Sequence, residues 1–107
     1  MRVMRHDPIF HSSDRKDIGE RLLLTRQILG LSQAEFAATA GLKAAAMCRC
    51  ERGSSRPSVD AATKLCEAYN LSLDWIFMGD LKPLPYDLAD SIQKARSARR
   101  KVIPGHE

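Results

Sequence analysis

The residues best suited to binding chemistry lie in one short central stretch of the chain. It combines cations with hydroxyl groups, at Lys43, Arg49, Arg52, Ser54, Ser55 and Arg56. Arginine and lysine donate charge-assisted hydrogen bonds to anionic oxygens, and the planar guanidinium group of arginine can do so in a bidentate geometry. Between these cations, Ala44, Ala45 and Cys48 offer no strong hydrogen-bonding group. The stretch therefore favours an anionic partner, although the side chains in its middle offer few polar contacts.

No arrangement of residues in the sequence is typical of catalysis or of a metal site. His6, His11 and His106 lie near the two ends of the chain, and no nucleophile is paired with a base. Cys48 and Cys50 are two positions apart, so on a helix their side chains diverge by about 200° and cannot share a metal ion. We predict that the protein is not an enzyme and holds no metal or cofactor.

The three cysteines form an odd count without paired spacing, which favours the reducing cytoplasm over secretion. Cys50 and Cys66 fall at inward positions, where cysteine behaves as a small hydrophobic residue. Cys48 falls at an outward position near cations. A thiol-oxidation switch at Cys48 is therefore a further hypothesis.

The composition of the chain predicts one small domain with tails. The sequence has 107 residues, of which 44% are hydrophobic and only 6% aromatic, so leucine, isoleucine and alanine must build the core. A net charge of +4 and a pI near 9.2 favour polyanionic partners. No apolar run reaches the roughly 20 residues of a membrane span, and we expect no signal peptide. A cytoplasmic protein without membrane contact is the resulting expectation.

Apolar periodicity predicts an all-α chain with six helices. They cover residues 15–29, a segment capped by Ser32, residues 44–52, a segment capped by Ser58, and residues 73–78 and 86–102. The inward positions of the first four are Ile18, Leu22, Thr25, Leu29, Phe36, Ala37, Ala40, Met47, Cys50, Ala62, Leu65, Cys66 and Tyr69. Glycine and proline residues, which interrupt helices, and the apolar periodicity divide the chain into three parts. These are a flexible arm (1–14), a domain (15–80), and a linker with a basic helix and tail (81–107).

The second and third predicted helices are joined by a very short connection. Only Gly41 and Leu42, with Lys43 as a hinge, separate them. Two short helices joined by so tight a glycine turn must cross at a wide angle, which is the helix-turn-helix arrangement.

Two apolar faces are left over after this assignment. Leu24 and Ile28 widen the face of the first helix, and Leu88, Ile92 and Ala95 share one side of the last helix. These faces either pack together within one chain, or the last helix forms part of a dimer contact.

Residues 18–80 resemble the Cro/phage-repressor (XRE-type) family of DNA-binding domains. The matching features are Arg26, GLSQAEFA at 30–37, Gly41-Leu42, ERG at 51–53, Pro57-Ser58 and LSLDWIFMGD at 71–80, in the order and spacing of that family. The resemblance implies a five-helix lambda-repressor-like fold in which the third helix reads DNA. It also implies that Arg26 pairs with Glu51, and that Gln33 contacts the DNA backbone.

The outward positions of the third helix depart from the family. Ala44, Ala45 and Cys48 stand where relatives carry polar base-reading side chains. Three accounts are open: the alanines pack against thymine methyl groups, small side chains let the helix approach so that groove shape is read, or sequence reading has been lost.

The cations around this surface have distinct expected roles. Lys43 stands where relatives place a capping Ser or Thr, and a nearby phosphate or guanine would compensate for the missing cap. Arg49 is the candidate for bidentate binding to guanine. Arg52, Ser54, Ser55 and Arg56 are expected to contact the backbone and to position the protein.

Together these observations predict a sequence-specific DNA-binding transcriptional regulator, a repressor acting as a homodimer on an inverted repeat of double-stranded DNA. Its half-sites would lie about 34 Å apart. Two alternatives are an antitoxin or adaptor that uses the same fold to bind a protein partner, such as a toxin or another regulator, and a DNA binder of low specificity.

Overall fold

The regular structure of the protein is helical throughout the part that is described. A computed structural model describes residues 10–101, with side chains as far as residue 98. In chain order the elements are α1 (Arg15–Ile28), α2 (Gln33–Thr39), α3 (Ala44–Glu51), α4 (Val59–Tyr69), a π-helical turn (Asp74–Met78) and α5 (Tyr86–Lys101). The all-α prediction is confirmed, with helix ends close to those expected. The predicted end of the last helix, Val102, lies outside the described residues.

The helices begin and end at the residues that local chemistry favours. Ser32 accepts a hydrogen bond from the Glu35 amide at 3.1 Å, and the Glu35 carboxylate accepts one from the Ser32 amide at 2.8 Å, which is a complete capping box. The hydrogen bond from the Ser32 amide, aided by the Ser32 hydroxyl group, lowers the pKa of the Glu35 carboxyl. Ser58 caps α4 through a single hydrogen bond, which its hydroxyl group accepts from the Ala61 amide at 3.0 Å. After α1, the chain turns at Gly30, whose φ is +75°, a region that glycine enters without steric cost.

A single core joins all of these elements. Its fully buried large side chains include Ile18, Leu22, Phe36, Leu65, Trp75, Ile76 and Ile92. The predicted inward positions are buried or partly buried with one exception, since Leu29 is exposed. The expectation for Leu29 was wrong because α1 ends one residue earlier, and Leu29 lies in the turn beyond the apolar stripe.

Arg21 is a buried cation that the sequence analysis did not single out. Its side chain has no solvent exposure. The guanidinium group donates from Nε and Nη2 to the Ile76 carbonyl at 3.2 and 2.9 Å, and from Nη2 to the Ser12 carbonyl at 2.6 Å. Burial lowers its pKa to about 10, against the opposing effect of Asp17, so it stays charged at neutral pH. Arg21 therefore ties α1 both to the π-helical turn and to the preceding segment.

Residues 10–14, which the sequence placed in the flexible arm, pack on the domain. The Phe10 ring lies 6.1 Å from the Trp75 ring, and the Arg96 guanidinium group lies 5.1 Å from the centre of Phe10. Ser12 donates its hydroxyl proton to Asp17 at 2.5 Å. Residues 1–9 of the predicted arm lie outside the described residues.

The C-terminal helix packs within its own chain. Ile92 on α5 is fully buried, and Leu84 in the preceding segment is almost so. Leu24 on α1 is also buried, and Ile28 packs against the same core. These faces therefore pack within one chain, which is the first of the two arrangements expected from the sequence, and a dimer contact through the last helix stays a prediction.

Gly19 permits a close crossing of α1 and α3. A Cβ atom at this position would lie 2.5 Å from the Cys50 carbonyl oxygen and 2.7 Å from that of Glu51. Both neighbours are backbone atoms, which cannot rotate away. The absence of a side chain at Gly19 therefore sets how near the two helices come.

We predict that Gly19→Ala destabilises the fold. In a helix, alanine is intrinsically favoured over glycine by about 1 kcal/mol, whereas forced overpacking costs about 1–3 kcal/mol. Because the added methyl group meets backbone oxygens, the steric cost should win and lower the urea midpoint. Gln27→Ala, at an exposed position of the same helix, is the control and should change stability little. A stabilising Gly19→Ala would contradict the close crossing.

Candidate nucleic-acid interface

The orientation of α3 is set by an ion pair with α1. Arg26 Nε lies 2.8 Å from Glu51 Oε2, and Arg26 Nη2 lies 3.0 Å from Glu51 Oε1, a bidentate geometry. The side chains are only 15% and 5% exposed. The hydrogen bond to Glu51 raises the pKa of Arg26. The pair expected from the sequence is thus present at the C-terminal end of α3.

Gln33 adds a link from α2 to the same carboxylate. Its amide nitrogen Nε2 donates to Glu51 Oε1 at 2.9 Å. The side chain of Glu51 therefore joins α1, α2 and α3 at one point. This structural use of Gln33 was not anticipated from the sequence. Its contact with a DNA phosphate stays a prediction.

The turn between α2 and α3 exposes one side of α3. Gly41 has a φ of +76°, and the Leu42 amide donates to the Ala37 carbonyl at 2.8 Å, which ends α2 sharply. Met47 and Cys50 on α3 are buried. The opposite side carries the exposed residues Ala44, Ala45 and Arg49, together with the partly exposed Cys48. The division of α3 into an inward and an outward side is as predicted.

Lys43 begins α3 without capping it. It occupies the N-cap position in extended backbone conformation, with φ −84° and ψ 139°, and makes no side-chain cap hydrogen bond. Its side chain is exposed. The first amides of α3 thus lack the usual partner, next to a positive charge. An anionic oxygen at this end could accept hydrogen bonds from these amides and form an ion pair with Lys43.

The loop after α3 divides the remaining predicted contacts into two groups. Arg52, Ser54 and Arg56 are exposed, so they are available to a phosphate backbone. Ser55 is half-buried, and its hydroxyl group acts to lower the pKa of the Cys50 thiol, against the larger effect of burial. Of the predicted loop contacts, Ser55 is therefore the least accessible to a phosphate.

The thiol groups are not arranged for metal chemistry. Burial raises the pKa of Cys50 and of Cys66, which favours their neutral thiol forms. Within residues 10–101, no three potential metal ligands among histidine, cysteine and carboxylate side chains come together. In that same range, no helix combines the length and apolar character needed to cross a membrane.

The helices α2 and α3 are short, are joined by a glycine turn, and leave one side of α3 exposed. This arrangement is that of helix-turn-helix domains. A family model described as a helix-turn-helix domain matches residues 17–74. This match covers somewhat more than half of the chain, and the chain belongs to that family. Neither a curated protein nor a solved structure matches the chain.

We predict that breaking the Arg26–Glu51 pair destabilises the protein strongly. Glu51→Ala leaves the Arg26 charge largely buried without its partner, which should cost about 3–5 kcal/mol in the free energy of unfolding. The exposed pair Asp90–Lys94, at 3.0 Å with side chains 37% and 77% exposed, provides the control.

Asp90→Ala should cost less than about 1 kcal/mol, because solvent screens that exposed pair. Urea unfolding of both variants measures the difference. Similar losses for Glu51→Ala and Asp90→Ala would show that the buried pair does not hold α3.

Proposed function

We propose that the protein is a sequence-specific DNA-binding transcriptional regulator of the Cro/phage-repressor type. It acts in the cytoplasm as a repressor and binds an inverted repeat as a homodimer. The observation that carries the proposal is the exposed face of α3, which includes Arg49 and is flanked by Lys43, Arg52 and Arg56. Glu51 connects this helix to α1 and α2. Members of the helix-turn-helix class place such a helix in the major groove.

The charge distribution of this surface suits the shape of duplex DNA. Lys43, Arg52 and Arg56 lie at its edges, where phosphates border the groove. Ala44, Ala45 and Arg49 lie between these edges, where a helix must fit closely against base edges. Alanine contacts thymine methyl groups, and short side chains also allow a close approach. Selectivity would then come from Arg49, from methyl contacts and from groove shape.

A single domain of this size offers few base contacts, which supports binding as a dimer. The buried face of α5 is already used within the chain. Large apolar side chains remain exposed at Leu73, Met78 and Tyr86. These residues are available for a contact with a second copy.

Selection of bound duplexes from a random library tests the proposal directly. We expect a shared motif with two inverted half-sites whose centres lie one helical turn apart. Sequences without any common pattern would support the low-specificity alternative, which the alanines of α3 also permit. No binding of duplex DNA at low salt would refute the proposal.

We predict that Arg49→Ala weakens binding to the selected site and relaxes one base preference. Loss of a bidentate guanine contact costs about 1–3 kcal/mol, which is roughly 5- to 150-fold in affinity. The effect on a scrambled duplex should be much smaller. Titration by fluorescence anisotropy at fixed salt measures both affinities.

Lys82→Ala is the matched control, because Lys82 is an exposed cation outside α2, α3 and their loops. It should leave both affinities nearly unchanged. Equal losses on selected and scrambled DNA for Arg49→Ala would assign Arg49 to phosphate binding.

A further inference from the structure

The N-terminal end of α1 lies against the loop that follows α3. Arg15 Nε donates to the Gly53 carbonyl at 3.0 Å. A Cβ atom on Gly53 would lie 2.9 Å from both Cα and Cγ of Lys16, so the Lys16 stem rests directly on Gly53. The contact joins residues far apart in sequence and brings two further cations to the loop.

This contact lengthens the cationic surface beyond α3. Gly53 is flanked by Arg52 and Ser54, and consecutive Cα atoms are about 3.8 Å apart. Lys16 therefore lies close to two residues expected to face the DNA backbone. Arg15, Lys16 and Arg52 are all exposed. The segment contributed by α1 was not assigned any role from the sequence.

The charge balance at this edge is positive. Arg15 and Lys16 join Arg52 and Arg56, while the exposed carboxylate of Asp14 caps α1 through the Lys16 amide. The neighbouring Asp17 is buried and accepts a hydrogen bond from Ser12, so its carboxylate does not lie on the exposed surface. An anionic partner on the loop would therefore meet the α1 cations as well.

We propose that Arg15 and Lys16 bind phosphates of the DNA backbone and form a second anchor beside the loop after α3. This proposal rests on the proposed function and adds two residues to its interface. The Nε atom of Arg15 donates to the Gly53 carbonyl, and the two terminal nitrogens of the guanidinium group carry further donors. Arg15 thus serves both to position the loop and to bind phosphate, whereas Lys16 acts through its charge.

Such contacts have a distinct signature, because they involve phosphates and not bases. Each phosphate contact that is lost should reduce the slope of log affinity against log salt by about 0.9. The affinity at 0.1 M salt should fall about five- to tenfold for each residue. Both effects should be equal on the selected duplex and on a scrambled one, since phosphates carry no base identity.

The experiment compares Lys16→Ala and Arg15→Ala with Lys64→Ala in the full chain. Lys64 is an exposed cation on α4, so its removal changes the net charge equally. Anisotropy titrations of both duplexes over a range of salt concentrations give the affinity and the slope. Urea unfolding of each variant separates loss of binding from loss of fold.

Lys16→Ala is the decisive variant, because no hydrogen bond of its side chain is removed with it. A reduced slope and an equal loss on both duplexes, with Lys64→Ala unchanged, would support the anchor. The anchor would be overturned if Lys16→Ala kept the affinity and salt slope of the parent while Arg49→Ala still weakened binding. The proposed function would then still stand. A parent protein that binds neither duplex would instead refute the proposed function itself.

Discussion

The buried carboxylate of Glu51 is the interaction on which the placement of α3 depends. It receives hydrogen bonds from Arg26 on α1 and from Gln33 on α2. A carboxylate removed from water needs compensating donors, and these two side chains meet that need in one relative arrangement of the three helices. Gly19 makes the arrangement accessible, because α1 can approach the α3 carbonyls closely. The outward direction of α3 follows from this buried junction together with the burial of Met47 and Cys50.

The fixed position of α3 suits the recognition role proposed for a surface with few hydrogen-bonding groups. Ala44 and Ala45 have almost no side-chain freedom to lose on binding, and the backbone beneath them is already held in place. The missing cap at Lys43 is a local departure from helix chemistry, of the kind expected where a functional surface meets a ligand. Affinity would then come from the cationic edges, and fit from the small central residues.

A second polar network connects α1 to the π-helical turn. Trp75 donates through Nε1 to the Thr25 hydroxyl at 2.9 Å, and that hydroxyl donates to the Arg21 carbonyl at 2.7 Å. The Arg21 guanidinium group then binds the Ile76 and Ser12 carbonyls. This network joins α1 to the π-helical turn and to the segment before α1. It stabilises the scaffold without involving the outward face of α3.

The sequence by itself determined the helices, their caps and the two sides of α3, because periodicity and capping are local properties. It also identified Arg26 and Glu51, through a charge on an apolar stripe and a family resemblance. Only the tertiary structure showed that Gln33 donates to Glu51, that Arg21 is buried, and that Arg15 and Lys16 border the loop after α3. Those contacts join residues that are distant in the chain. The local sequence does not distinguish a buried arginine from an exposed one, because burial depends on how the helices pack.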